Sequence, residues 1–136
     1  MKIKLMLNVS LKIGEKKMQV NLSSDNYYII SNGTSFLFGK DKDLTIEITA
    51  DNGFQFTIAI EFKEEESGIY RIDKKNSENK IQLLCFNFEE SGVGMREPVQ
   101  IGTIEGKKMY LIFWSHLDGE YGKKVRSVQY TIFLEK

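Results

Sequence analysis

Hydrophobic and polar positions alternate with a period of two along much of this chain. Phe54, Phe56, Ile58, Ile60 and Phe62 take turns with Gln55, Thr57, Ala59 and Glu61. Successive side chains of an extended backbone point to opposite faces, so the rhythm predicts a strand with one face in a core and one in water. Leu44 to Ala50 repeats it, and Ile3, Leu5, Leu7, Val9, Leu11 and Ile13 place six aliphatics on one side of a further strand. Eleven extended residues at about 3.3 Å each would span roughly 36 Å, so a bend or bulge near Asn8 to Ser10 is expected. Hardly any segment carries the spacing of an amphipathic helix.

Turn chemistry divides the rest. Gly14-Glu15 leads into Met18, Val20 and Leu22, a strand expected to pair back on the first. Ser31-Asn32-Gly33-Thr34 separates Tyr27–Ile30 from Phe36–Phe38, and Asp51-Asn52-Gly53 separates Leu44–Ala50 from Phe54–Phe62. Asn-Gly tolerates positive φ, so both predict hairpins. Glu64-Glu65-Glu66-Ser67-Gly68 predicts a solvated loop before a short strand at Ile69–Ile72. Ile81–Phe88 is apolar on both faces at its middle, as is Met109–Trp114, which predicts strands buried from above and below. Val99–Ile104 precedes a tight turn at Glu105-Gly106, and Val125–Leu134 closes the chain. The elements add up to an all-β fold with little or no helix: one antiparallel β-sandwich over residues 1–136, Greek-key or jelly-roll-like, with ten or eleven strands.

Composition narrows the class. A chain of 136 residues fits one core, and 41% hydrophobic with 28% charged residues is too apolar for disorder. Nine Phe, six Tyr and one Trp supply the large buried area that holds two sheets together, and a lone proline, Pro98, suits long uninterrupted strands. Lys plus Arg equals Asp plus Glu, 19 each, which argues against nucleic acid as a partner, because phosphate neutralisation calls for a basic excess. The Lys-Lys pairs at 16–17, 74–75, 107–108 and 123–124 read as edge protection. Cys85, the single cysteine, excludes an intrachain disulfide and sits in Leu83-Leu84-Cys85-Phe86, where a buried, inert thiol in a reducing cytoplasm is expected. Asn8, Ser10 and Lys12 interrupt any signal-peptide core, and no run reaches the ~20 apolar residues of a membrane span.

From Phe86 to Phe133 runs a string of motifs: Asn87-Phe88, Gly92-x-Gly94, Pro98, Ile101-Gly102, Gly106-Lys107, Tyr110-Leu111 and a closing Tyr130-Thr131-x-Phe133. In spacing and order it resembles a family of small bacterial β-rich proteins grouped as a domain of unknown function. The first eighty residues resemble that family only in being strand-rich. The resemblance implies a compact β domain and transfers no activity, cofactor or catalytic residue.

Four constellations could carry chemistry. In Ser91-Gly92-Val93-Gly94-Met95-Arg96-Glu97-Pro98, Gly92 and Gly94 could open a nest of backbone N–H groups while Arg96 clamps a phosphate or carboxylate. A tight loop with Arg96 paired to Glu97 or Glu90 explains the same residues, and neither the P-loop nor the dinucleotide fingerprint is met. His116, the only histidine, stands near Ser115, Asp118 and Glu120. However, adjacent strand residues face opposite ways, so a catalytic triad is not implied. Asp41, Asp43, Asp51 and Asn52 lack the remaining ligands of a calcium loop. Tyr110, Trp114 and Tyr121, with Tyr130, are candidates for a stacking platform: core packing if their face is covered, an interaction surface if it is open. The expectation is a non-enzymatic cytoplasmic module that binds a protein partner, without metal, cofactor or membrane. The alternative is a sensor of a small anionic ligand, a nucleotide or sugar phosphate, at Gly92, Gly94 and Arg96.

Overall fold

The computed structural model describes residues 2–7, 26–38, 43–50, 55–62, 67–73, 76–86, 92–94, 97–104, 106–118 and 125–136. Within them the chain forms ten strands: β1 (Lys2–Leu7), β2 (Tyr27–Phe38), β3 (Asp43–Ala50), β4 (Gln55–Phe62), β5 (Ser67–Asp73), β6 (Asn76–Phe86), β7 (Gly92–Gly94), β8 (Val99–Ile104), β9 (Lys107–Asp118) and β10 (Val125–Glu135). No helix long and apolar enough to cross a membrane occurs among the described residues.

The strands make two sheets. Sheet A has the order β1-β3-β4-β5-β6; sheet B has β2-β10-β9-β7, with β8 also paired to β9. Strand β7 meets β9 at residues 114–116 and β8 meets it at 107–111, so the two share one flank of β9 end to end. Pairing is antiparallel except between β1 and β3, which run parallel (Lys2 opposite Thr45, Leu7 opposite Ala50). Parallel neighbours need a long crossover, and here the chain passes through sheet B as β2 before returning as β3. The expected strand at Met18–Leu22 and the bend at Asn8 to Ser10 lie outside the described residues.

The alternation builds the core as expected. Leu44, Ile46 and Ile48 of β3, and Phe56, Ile58, Ile60 and Phe62 of β4, face Met109, Leu111 and Phe113 of β9 and Val128, Tyr130, Ile132 and Leu134 of β10. The sheets are also tied by a polar link. Arg71 Nη1 donates to the Ile101 carbonyl at 3.1 Å, Nε to Asp73 Oδ1 at 2.8 Å, and the guanidinium lies 4.4 Å from the Phe56 ring centre. Gly102 makes room for that arginine, since a Cβ there would sit 2.6 Å from Arg71 Nη1.

Five sequence readings change. The loop expected at Glu64–Gly68 ends early, because Ser67 and Gly68 open β5 and are buried. Met109–Trp114 is buried on its inner face alone, since Trp114 is 48% exposed. The Asn32-Gly33 hairpin does not form: β2 runs straight through it, paired along its length with β10. Gly33 serves a close approach instead, because a Cβ at that position would lie 3.3 Å from the Tyr130 hydroxyl. Ile81–Phe88 is not a strand covered on both sides: β6 ends the order of sheet A, and Ile81 is 52% exposed. Cys85, on the same strand, is exposed rather than buried. The hairpin across residues 51–54 and the turn at Gly106, whose φ is 77°, agree with the sequence.

Candidate functional site

The two outward faces of the sandwich differ. On sheet A the outward rungs are polar: Asp43 opposite Glu61, Glu47 opposite Thr57, Thr49 opposite Gln55. Lys80 Nζ adds an ion pair to Glu61 at 2.6 Å and lies 4.3 Å from the Tyr70 ring centre. The face of β3 and β4 is thus predominantly polar, with Ala59, opposite Thr45, buried within it. On sheet B the residues that alternate with the core positions include Phe36 and Phe38 of β2, Phe133 of β10, and Tyr110, Ile112, Trp114 and His116 of β9.

Strand register gives this face its layout. Phe38, Val125 and Asp118 form one rung; Phe36, Ser127 and His116 the next; Thr34, Gln129 and Trp114 the third; Asn32, Thr131 and Ile112 the fourth. Adjacent strands lie about 4.8 Å apart, so the flanking residues of a rung stand roughly 10 Å from each other with β10 between them. Phe36, Phe38 and Trp114 are 53%, 66% and 48% exposed. Past the fourth rung the aromatic surface closes on itself. There Tyr110 stacks on Phe133 at 5.6 Å, and Tyr27 meets both edge-on at 6.0 and 5.2 Å. Tyr110 thus belongs to a packed cluster, whereas Trp114 is open.

Trp114 is held in place. Two residues along the same strand face, its ring centre lies 4.7 Å from that of His116, whose Nδ1 shares a 3.0 Å hydrogen bond with Ser127 Oγ. Ser127 is buried, and its bond to His116 fixes the imidazole against which the indole rests. Ser115 points the other way, into the sandwich, where its hydroxyl accepts from Arg126 Nη1 at 3.2 Å. The Arg126 guanidinium lies 4.7 Å from the Phe62 ring centre. Desolvation pushes its pKa below the ordinary value, although arginine stays charged at neutral pH.

Of the glycine-loop residues, Gly92 and Gly94 belong to β7, opposite His116 and Trp114, and Arg96 lies outside the described residues. Tyr121 lies outside them too, and Tyr130 faces the core. Three contributors went unseen in the sequence. Phe36 and Phe38 share this face only because the Asn-Gly segment stays extended, and Ser127 reaches His116 only through the pairing of β10 with β9. The period-two count places Phe36, Phe38, Trp114 and His116 on single strand faces, but no sequence signal joins those faces across strands.

A family model described as a domain of unknown function (DUF6864) matches residues 21–135, well beyond the C-terminal stretch that carries the motif string. No curated protein and no solved structure matches the chain.

Proposed function

This chain belongs to the DUF6864 family of domains of unknown function, and we propose that it is a non-enzymatic binding module that contacts a protein partner through the outward face of β2, β10 and β9. One observation carries the reading: three of the four large hydrophobic side chains exposed among the described residues, Phe36, Phe38 and Trp114, share that face. Interaction patches are enriched in aromatics and depleted of charge at their centre. The second and third rungs match, with Phe36, Ser127, His116, Thr34, Gln129 and Trp114 and no formally charged side chain. The opposite sheet, with its acidic rungs, supplies the contrast. A reducing cytoplasm suits the setting, since it would keep the exposed Cys85 thiol reduced.

The test compares wild-type bait with the F36S/F38S/W114S variant in quantitative pull-downs from the native cell. The expected result is a partner recovered by the wild type and lost by the variant, with both baits melting cooperatively well above the temperature of the pull-down. Partners recovered equally by both baits would remove this face from consideration.

A further inference from the structure

We propose that the face of β2, β10 and β9 takes a short proline-rich segment of its partner, bound in the polyproline II conformation; the inference rests on reading that face as the binding surface. The size of the patch argues for a short segment. Three half-exposed aromatic side chains, each worth about 150–250 Å² when fully buried, offer roughly 300 Å² of ring surface. A standard interface between folded proteins buries about 800 Å² on each side. The aromatic patch by itself is smaller than the area a globular partner covers and matches a short segment. The distance from Thr34 to Phe38, five residues and four steps of β2, is about 13 Å, the length of about four polyproline II residues.

Backbone chemistry argues for the conformation. Strand β10 hydrogen-bonds to β2 on one side and β9 on the other, so its main-chain groups are spent within the sheet. A segment lying across this face gains no ladder, leaves its backbone to water, and has a small apolar contact to offset the entropy of being ordered. Polyproline II makes no internal hydrogen bonds and is already ordered by proline, whose φ is fixed and which has no N–H to satisfy. It therefore meets those terms at the lowest ordering cost.

The side chains argue for the ligand's chemistry. The exposed rings of Phe36, Phe38 and Trp114 offer apolar surface for pyrrolidine rings. Gln129 and Thr34, both exposed and in one rung with Trp114, bring an amide and a hydroxyl, and the indole adds an N–H, as donors for the segment's open carbonyls. The two central rungs carry no Asp, Glu, Lys or Arg, so phosphate-rich or strongly basic ligands meet no counter-charge. Residues 1–136 hold a single proline, Pro98, and so contain no proline-rich segment of their own.

Trp114 is the only tryptophan, so emission excited at the red edge, where the tyrosines do not absorb, reports on this site. Titrating the full chain with an oligoproline peptide is expected to give a saturable blue shift in the micromolar-to-millimolar range, and a glycine–serine peptide of equal length no shift. Phe36→Ser and Gln129→Ala should each weaken oligoproline binding about tenfold, while Ile81→Ser, on the edge of the other sheet, leaves it unchanged. Absence of a saturable shift, an equal response to both peptides, or full affinity in Phe36→Ser overturns the proposal. So does a shift produced by a neutral oligosaccharide or an oligothymidylate and not by oligoproline. If the peptide fails while the F36S/F38S/W114S bait still loses its partner, only the ligand class falls. If that bait keeps every partner, the face falls with it.

Discussion

Neighbours in sequence can be opposites in energy, and Phe113 and Trp114 on β9 are such a pair. Phe113 points into the sandwich and is almost wholly buried, its ring 6.1 Å from Phe62 and 5.5 Å from Phe86. Replacing it with alanine removes the transfer free energy of a benzyl group, leaves a cavity between the sheets, and breaks two ring contacts. Core Phe→Ala changes of this kind cost about 3–5 kcal/mol. Trp114→Ala removes a larger side chain, yet one that is half in water and leaves no enclosed cavity, so only about half its burial is lost and the cost should be about 1–2.5 kcal/mol. For a domain of this size 1 kcal/mol moves Tm by roughly 3–5 °C. Phe113→Ala should therefore lower Tm by on the order of 10–20 °C and Trp114→Ala by roughly half as much. Far-UV circular dichroism melts, with urea midpoints as a second measure, resolve the difference without relying on the tryptophan signal. Equal losses for the two variants, or a Phe113→Ala cost below about 1 kcal/mol, would refute the assignment of inner and outer faces on β9.

Other consequences are as direct. Gly102→Ala should destabilise by about 1–3 kcal/mol, because its Cβ collides with a guanidinium fixed by Ile101 and Asp73. The penalty should shrink when Arg71→Ala is already present, and urea melts of the double-mutant cycle showing equal costs in both backgrounds would contradict the link. Ser115→Ala takes the acceptor from a buried charged donor, Arg126 Nη1, and should cost about 1–3 kcal/mol in the same assay; a neutral outcome would show that the bond carries no weight. Cys85 should react with a thiol reagent in the native chain at nearly the unfolded rate, with one thiol titrated per chain. Strong native protection would place β6 away from the edge.

The fold class and much of the core were written in the order of residues. A period of two depends only on the geometry of extended backbone, so Phe56, Ile58, Ile60 and Phe62 could be assigned to a buried face with no knowledge of what covers them. Tight turns with a local cause were legible for the same reason, as at Gly106. What sequence could not supply was neighbourhood. Whether Asn32-Gly33 turns or stays extended was decided by β10, paired to it from 99 residues away, as in the contact of Ser31 with Tyr130. Tertiary pairing there outweighed a local turn preference. Whether the apolar run around Leu83 and Leu84 is covered on both sides depends on the order of strands, and β6 fell at an edge. The candidate surface divides in the same way. Trp114 was legible as an aromatic on a strand, but its alliance with Phe36, Phe38 and Gln129 exists only because three strands distant in sequence lie side by side, an arrangement set by long-range packing rather than by any local rule.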